Sequence, residues 1–174
     1  MSINHLQLVN QKLAFASSII ASLVADTSTD SSLLQKALKD SVVFHLATAL
    51  HFYVRELAEH QRIVNMQSIN SVSDLASTLK ELDKYSSEVS ELVELEQLSS
   101  SWLNQLTRYY EQLLSSPAKE KEKKAFGQEN IINVVELADA DEIAMLNLTT
   151  DVLSAWASSF RSLIARQRET SAEY

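Results

Sequence analysis

The sequence predicts an all-α fold: a mostly antiparallel bundle of four to five helices, with an extended segment after a charged linker. Three observations predict it. The 174 residues include one glycine, one proline and no cysteine, where average usage would supply about a dozen glycines and about nine prolines. The favoured hairpin turns need Gly or Asn at positive φ, so a multi-stranded antiparallel sheet has almost no turns to draw on. Apolar residues recur at spacings of three and four, the period of a helix face. Short clusters of Ser, Thr and Asp separate these stretches, and such residues cap helix N-termini.

Each element follows from its own residues. The first helix reads from Ile3 to Ala25, with Leu6, Val9, Leu13, Ala16, Ile20 and Leu23 on one stripe and Ser2 as its cap. Asp26-Thr27-Ser28-Thr29-Asp30 ends it, because short polar side chains compete for backbone hydrogen bonds. A second helix reads from Ser31 to Met66, with Val42, Leu46, Ala49, Tyr53, Leu57 and Val64 along one face and Leu34, Leu38, His45 and Phe52 widening it. No Gly or Pro interrupts it, which at helical rise makes it roughly 50 Å long. Ser71-Val72-Ser73-Asp74 resembles a capping box for a third helix to Tyr85. Ser86-Ser87-Glu88 restarts the chain towards Leu98, and Ser99-Ser100-Ser101 precedes a helix from Trp102 to Leu114. Pro117 and Gly127 bracket Lys119-Glu120-Lys121-Glu122-Lys123-Lys124, a charged linker over residues 117–130. Ile131-Ile132-Asn133-Val134-Val135 is β-branched and reads as extended. Thr149-Thr150-Asp151 caps a closing helix to Arg168, whose buried face carries Val152, Leu153, Trp156, Phe160, Leu163 and Ile164. No internal repeat is visible, and residues 1–174 read as one domain, with 1–116 as the main bundle and 131–174 as the extended segment and closing helix.

Composition excludes several function classes. The net charge of −8 opposes nucleic acid and anionic membranes. The uncharged run Leu13 to Ala25 is too short to span a bilayer, which takes about 20 residues. Its flanks lack the basic start and the small-residue cleavage context of a secretory leader, so the expected location is cytoplasmic. No P-loop, no dinucleotide-binding glycine turn and no nucleophile elbow occurs.

The titratable residues offer little chemistry. None of His45, His51 and His60 has a Glu three residues before it, so the paired Glu-x-x-His pattern of a di-iron bundle is missing. His45, between Leu38 and Phe52, reads as a core histidine bonded to a neighbouring helix. Glu56 and His60 read as an i,i+4 surface contact. Arg55 and His60 have the Arg-x4-His spacing that resembles the HEPN ribonucleases. On a regular helix, however, the two diverge by about 140°, and an acidic chain poorly neutralises phosphate. Arg161, Arg166 and Arg168 suit a helix C-terminus, whose dipole favours cations. Trp102 and Trp156 read as core anchors.

The strongest bias is acidic. Glu81, Asp83, Glu88, Glu91, Glu94 and Glu96 stand against Lys84, for a local net charge of −5. Val89, Leu92, Val93, Leu95 and Leu98 among them are too many for one narrow buried stripe. The expected partner surface is therefore Glu88, Val89, Glu91, Leu92, Leu95 and Leu98, binding a protein partner or a second copy.

Asn10-Gln11-Lys12 with Phe15, Phe44-His45-Leu46, Trp102-Leu103, and Trp156 with Phe160 and Arg161 carry a likeness over nearly the whole chain. In order and spacing they resemble a domain-of-unknown-function family of small proteobacterial proteins. The resemblance implies a bacterial cytoplasmic protein of the same helical architecture, and it implies no activity. The functional expectation is a non-enzymatic interaction or structural protein without cofactor, metal, nucleic-acid or membrane partner. The alternative is a HEPN-like ribonuclease using Arg55 and His60.

Overall fold

The computed structural model describes residues 4–25, 32–115 and 148–172. They form α1 (His5–Ala25), α2 (Ser32–His60), α3 (Val72–Glu81), α4 (Ser87–Gln97), α5 (Trp102–Leu114) and α6 (Thr150–Ala172), with a 3-10 turn at Met66–Ser68. No strand occurs among the described residues. The charged linker, the extended segment at 131–135 and the Ser2 cap lie outside them.

Among the described residues six helices stand where four to five were expected, because the serines at 86 and 101 both cap new helices. The Ser86 hydroxyl accepts from the Val89 amide at 3.3 Å, and that of Ser101 from the Asn104 amide at 3.0 Å. The capping box at Ser71 forms in full, with Asp74 reaching back to the Ser71 amide at 3.0 Å. Thr149 caps α6 through the Val152 amide.

The second helix is shorter than its sequence suggested. It ends at His60, and Val64, expected on its buried stripe, is fully exposed. Arg62 takes a left-handed φ of 53°. Its amide bonds Glu59 O, and the Ile63 amide bonds Ala58 O. These two bonds make a Schellman stop, normally built on glycine. The same pair recurs at the end of α3, where Asp83 has φ 52° and the amides of Asp83 and Lys84 bond Lys80 O and Leu79 O. A chain with one glycine thus ends two helices on an arginine and an aspartate. The buried Ile63 supplies the apolar contact that accompanies such a stop.

α1 pairs with α2, and α6 packs on α1, α2 and α5, while α4 lies between α3 and α5. His5 meets Glu59, and Phe15 meets His45, so α1 runs antiparallel to α2. Arg161 reaches Ser17 and Arg168 reaches Asn10, so α6 also runs against α1. The core gathers Val9 and Ala16 of α1, Val42, Leu46 and Tyr53 of α2, Leu103 and Leu106 of α5, and Leu153 and Phe160 of α6. Phe160 sits at its centre, 5.2 Å from the Trp102 ring and 6.1 Å from that of Tyr53. On α1 the buried face is the expected one except at its start, where His5 is enclosed and Leu6 faces out. α6 continues past Arg168 to Ala172.

Candidate functional site

The six residues of the expected partner surface are not all at the surface. Val89 and Leu92 are buried in the core, at 3% and 1% exposure. Leu95 is partly buried against it, and Leu98 is exposed. Glu88 accepts from the Ser86 hydroxyl at 2.7 Å, and Glu91 accepts from Gln167 at 2.8 Å and from Arg166. The correction has a simple cause. A lone helix has one apolar stripe to bury, but α4 has α3 on one side and α5 on the other. Its extra apolar positions are used within the fold.

What α4 leaves open is a groove on its α3 side, of about 590 Å³. Ala76 and Leu79 of α3 and Val89 and Val93 of α4 line its apolar part, and Lys80, Asp83, Lys84, Tyr85 and Glu94 its polar rim. The Schellman stop at Asp83 turns the chain sharply, so α3 and α4 diverge with only Leu82 to Ser86 between them. Tyr85 stands out of that turn at 80% exposure. The Lys84 ammonium donates to Gln61 O at 2.6 Å, at the C-terminal end of α2, where the helix dipole favours a cation. Of the acidic run, Asp83 and Glu94 thus face solvent beside an apolar groove. Tyr85, Val93 and Glu94 were missed as site residues, since only the α3–α4 pairing brings them together. The acidic bias and the apolar excess of the segment were the available signal.

A second constellation ties the bundle together. Arg168 makes a two-pronged ion pair with Glu56, both bonds 2.8 Å long, and donates to Asn10 Oδ1 at 3.0 Å. The Tyr53 hydroxyl donates to Gln167 Oε1 at 2.6 Å, and burial, then the Glu56 charge, drives its pKa far up. Burial pushes the Glu91 carboxyl up, but the hydrogen bonds from Arg166 and Gln167 prevail and hold it below its ordinary range. Arg161 donates to Leu13 O and Ser17 Oγ. The three arginines are therefore interhelical clamps, not a dipole-complementing patch at a helix end, and Glu56 pairs with Arg168 instead of His60. This network is satisfied and structural.

The remaining candidates separate. Arg55 donates to Ile69 O and Asn70 Oδ1, each at 3.1 Å, anchoring the loop after α2. His60 is exposed on the last turn of the same regular helix. The two do not converge on a shared site. His45 is only partly buried and wedged against Phe15 and Phe44, with ring centroids at 5.4 and 5.8 Å. Its Nδ1 is buried without a partner, contrary to the expected bond to a neighbouring helix. Burial, then the Lys12 charge, holds its pKa below the ordinary value. Both tryptophans pack as anchors, Trp156 buried and Trp102 against Phe160. Among the described residues no three His, Asp or Glu side chains are grouped to hold a metal. α1 is long and apolar enough by length and composition to cross a membrane. A core helix of a bundle has the same character, and Val9 and Ala16 of α1 are fully enclosed.

The sequence model of a family of unknown function, DUF6586, matches residues 1–174, and the chain belongs to that family. Comparison with curated proteins and with solved structures gives no match.

Proposed function

We propose that this member of DUF6586 is a non-enzymatic, cytoplasmic interaction protein that receives a basic, amphipathic helix of a protein partner in the α3–α4 groove. The observation that supports it is the groove itself: an open apolar trough of about 590 Å³ whose rim carries Asp83, Glu94 and the exposed Tyr85 beside Lys80 and a Lys84 engaged with Gln61 O. A partner helix lays apolar residues at i, i+3 and i+4 into such a trough. Lysines or arginines beside them would meet Asp83 and Glu94, which hold no side-chain partner among the described residues. Leu82 and Leu98, both more than half exposed, extend apolar surface beyond the two ends of α4. The net charge of −8 favours a cationic partner and speeds its encounter.

The test is affinity purification of the tagged chain from its native host, with mass spectrometry, run beside the double variant Asp83→Lys, Glu94→Lys and the variant Tyr85→Ala. All three positions are exposed, and helix content by circular dichroism checks that the double variant, substituted at the φ 52° position of Asp83, is folded. One stoichiometric protein that is lost with both variants supports the reading. A partner held equally by both variants sinks it, as does a monodisperse monomer with no partner. Co-eluting RNA would shift attention to cleavage assays on Arg55→Ala and His60→Ala.

A further inference from the structure

A smaller and more enclosed cleft of about 350 Å³ opens on the other side of α4, between α2, the start of α3 and α5. Phe44, Leu50, Val54, Leu106 and Tyr110 give it apolar and aromatic walls. Its polar groups are unusual in being mostly acceptors. Thr48 and Thr107 line the cleft and donate their hydroxyl protons to Phe44 O and Leu103 O within their own helices, which leaves their oxygens only lone pairs to offer. His51 Nδ1 lies 3.1 Å from Asn70 O. A carbonyl only accepts, so Nδ1 carries the proton, and in the neutral ring Nε2 is an acceptor. Ser71 gives its hydroxyl proton to the Asp74 carboxyl, which leaves Tyr110 as the lining hydroxyl with a proton to give.

Glu96 completes the set. Its carboxylate is drawn partly out of water into this cleft and has neither hydrogen bond nor ion pair among the described residues. No lysine or arginine lines the cleft. Burial first, then the neighbouring Glu111 charge, pushes the Glu96 carboxyl up. Burying a carboxylate without a partner is costly, and a cation in the cleft would remove that cost. Aromatic faces at Phe44 and Tyr110 favour the same charge.

We propose that the cleft beside Glu96 binds a small primary ammonium compound with an apolar body. The ammonium sits among Glu96 and the acceptors of His51, Thr48 and Thr107, and the apolar body lies against Phe44, Leu50 and Leu106. A primary ammonium has three protons to donate, which suits a site rich in acceptors. This site is separate from the α3–α4 groove and does not depend on the reading given to it.

The experiment is titration calorimetry and thermal unfolding with 2-phenylethylamine, 2-phenylethanol and 3-phenylpropionate, which share a ring and differ in charge. The amine is expected to bind at least about tenfold more tightly than the alcohol, the carboxylate not at all. Glu96→Gln keeps the helix content by circular dichroism and removes the preference for amine over alcohol. Ala47→Phe, which fills the cleft and leaves Glu96 in place, abolishes binding of both. Equal binding of amine and alcohol by the wild type overturns the proposal. So does a preference that survives Glu96→Gln, binding that survives Ala47→Phe, or no binding of the amine at millimolar concentration.

Discussion

The two sides of this bundle treat their charges in opposite ways. Where α6 crosses α1, α2 and α4, each arginine has an acceptor. Arg161 holds the α1 backbone, Arg166 holds Glu91, and Arg168 holds Glu56 and Asn10. Around α3 and the outer faces of α4, Lys80, Asp83, Glu94 and Glu96 have no side-chain partner among the described residues. The difference follows from helix length. α1, α2 and α6 are 21, 29 and 23 residues long and run side by side, so distant side chains meet in pairs. α3 and α4 have 10 and 11 residues and diverge from a tight turn, which leaves troughs between them. The long helices supply stability; the short ones supply surface with unmet charge.

The largest effect expected from this contrast is at Arg168. Arg168→Ala leaves Glu56, buried at 3% exposure, without its cation. Removing one member of a buried pair costs about 3 kcal/mol or more, read as a lower urea midpoint at unchanged slope. The double variant Arg168→Leu, Glu56→Leu recovers most of that loss. A single variant as stable as the wild type would erase the distinction between the two sides.

A middle-sized effect is expected on the short-helix side. Ser71→Ala removes the cap of α3 and costs about 1 kcal/mol. Asp74, its partner in the box, is held below its ordinary value of 3.8 first by the Asn70 amide and then by Ser71. A carboxyl depressed in the folded state stabilises above its unfolded pKa, and this is lost as pH falls through the folded one. The wild type therefore loses this contribution below about pH 3.8, and Asp74→Asn lacks that part of the acid transition. Urea titrations at pH 7 and pH 3 distinguish the two chains.

The smallest effect has the opposite sign. Arg62 sits at φ 53°, a conformation that costs a residue with a Cβ roughly 1 kcal/mol or more. Arg62→Gly is expected to raise stability by about 0.5 kcal/mol after the added freedom of the unfolded chain is set against it. A destabilised glycine variant would show that the Arg62 side chain itself holds the end of α2.

Much of this fold is legible in the residues. The boundary serines at 71, 86 and 101 and Thr149 cap the helices that follow them, because capping is a contact between residues three apart. The buried stripe of α1 could be read for the same reason of locality. The end of α2 could not, since Arg62 and Ile63 carry no sign of a stop. Glycine usually marks one, and here the chain makes its Schellman turn without it. The candidate site was legible as a region and not as a set of residues. Six acids over 81–96 and five apolar side chains over 89–98 announce a crowded amphipathic helix. Which of them point outward depends on how many neighbours that helix has.

The sequence by itself determined the class of this protein, the positions of most helix starts and the acidic character of its surface, all properties of neighbouring residues or of sums over the chain. Only the tertiary structure decided that Val89 and Leu92 are core, that Arg168 belongs to Glu56 across 112 positions, and that Glu96 faces a cleft alone. Those facts are pairings between helices far apart in sequence, and no period or spacing along one chain encodes which faces meet.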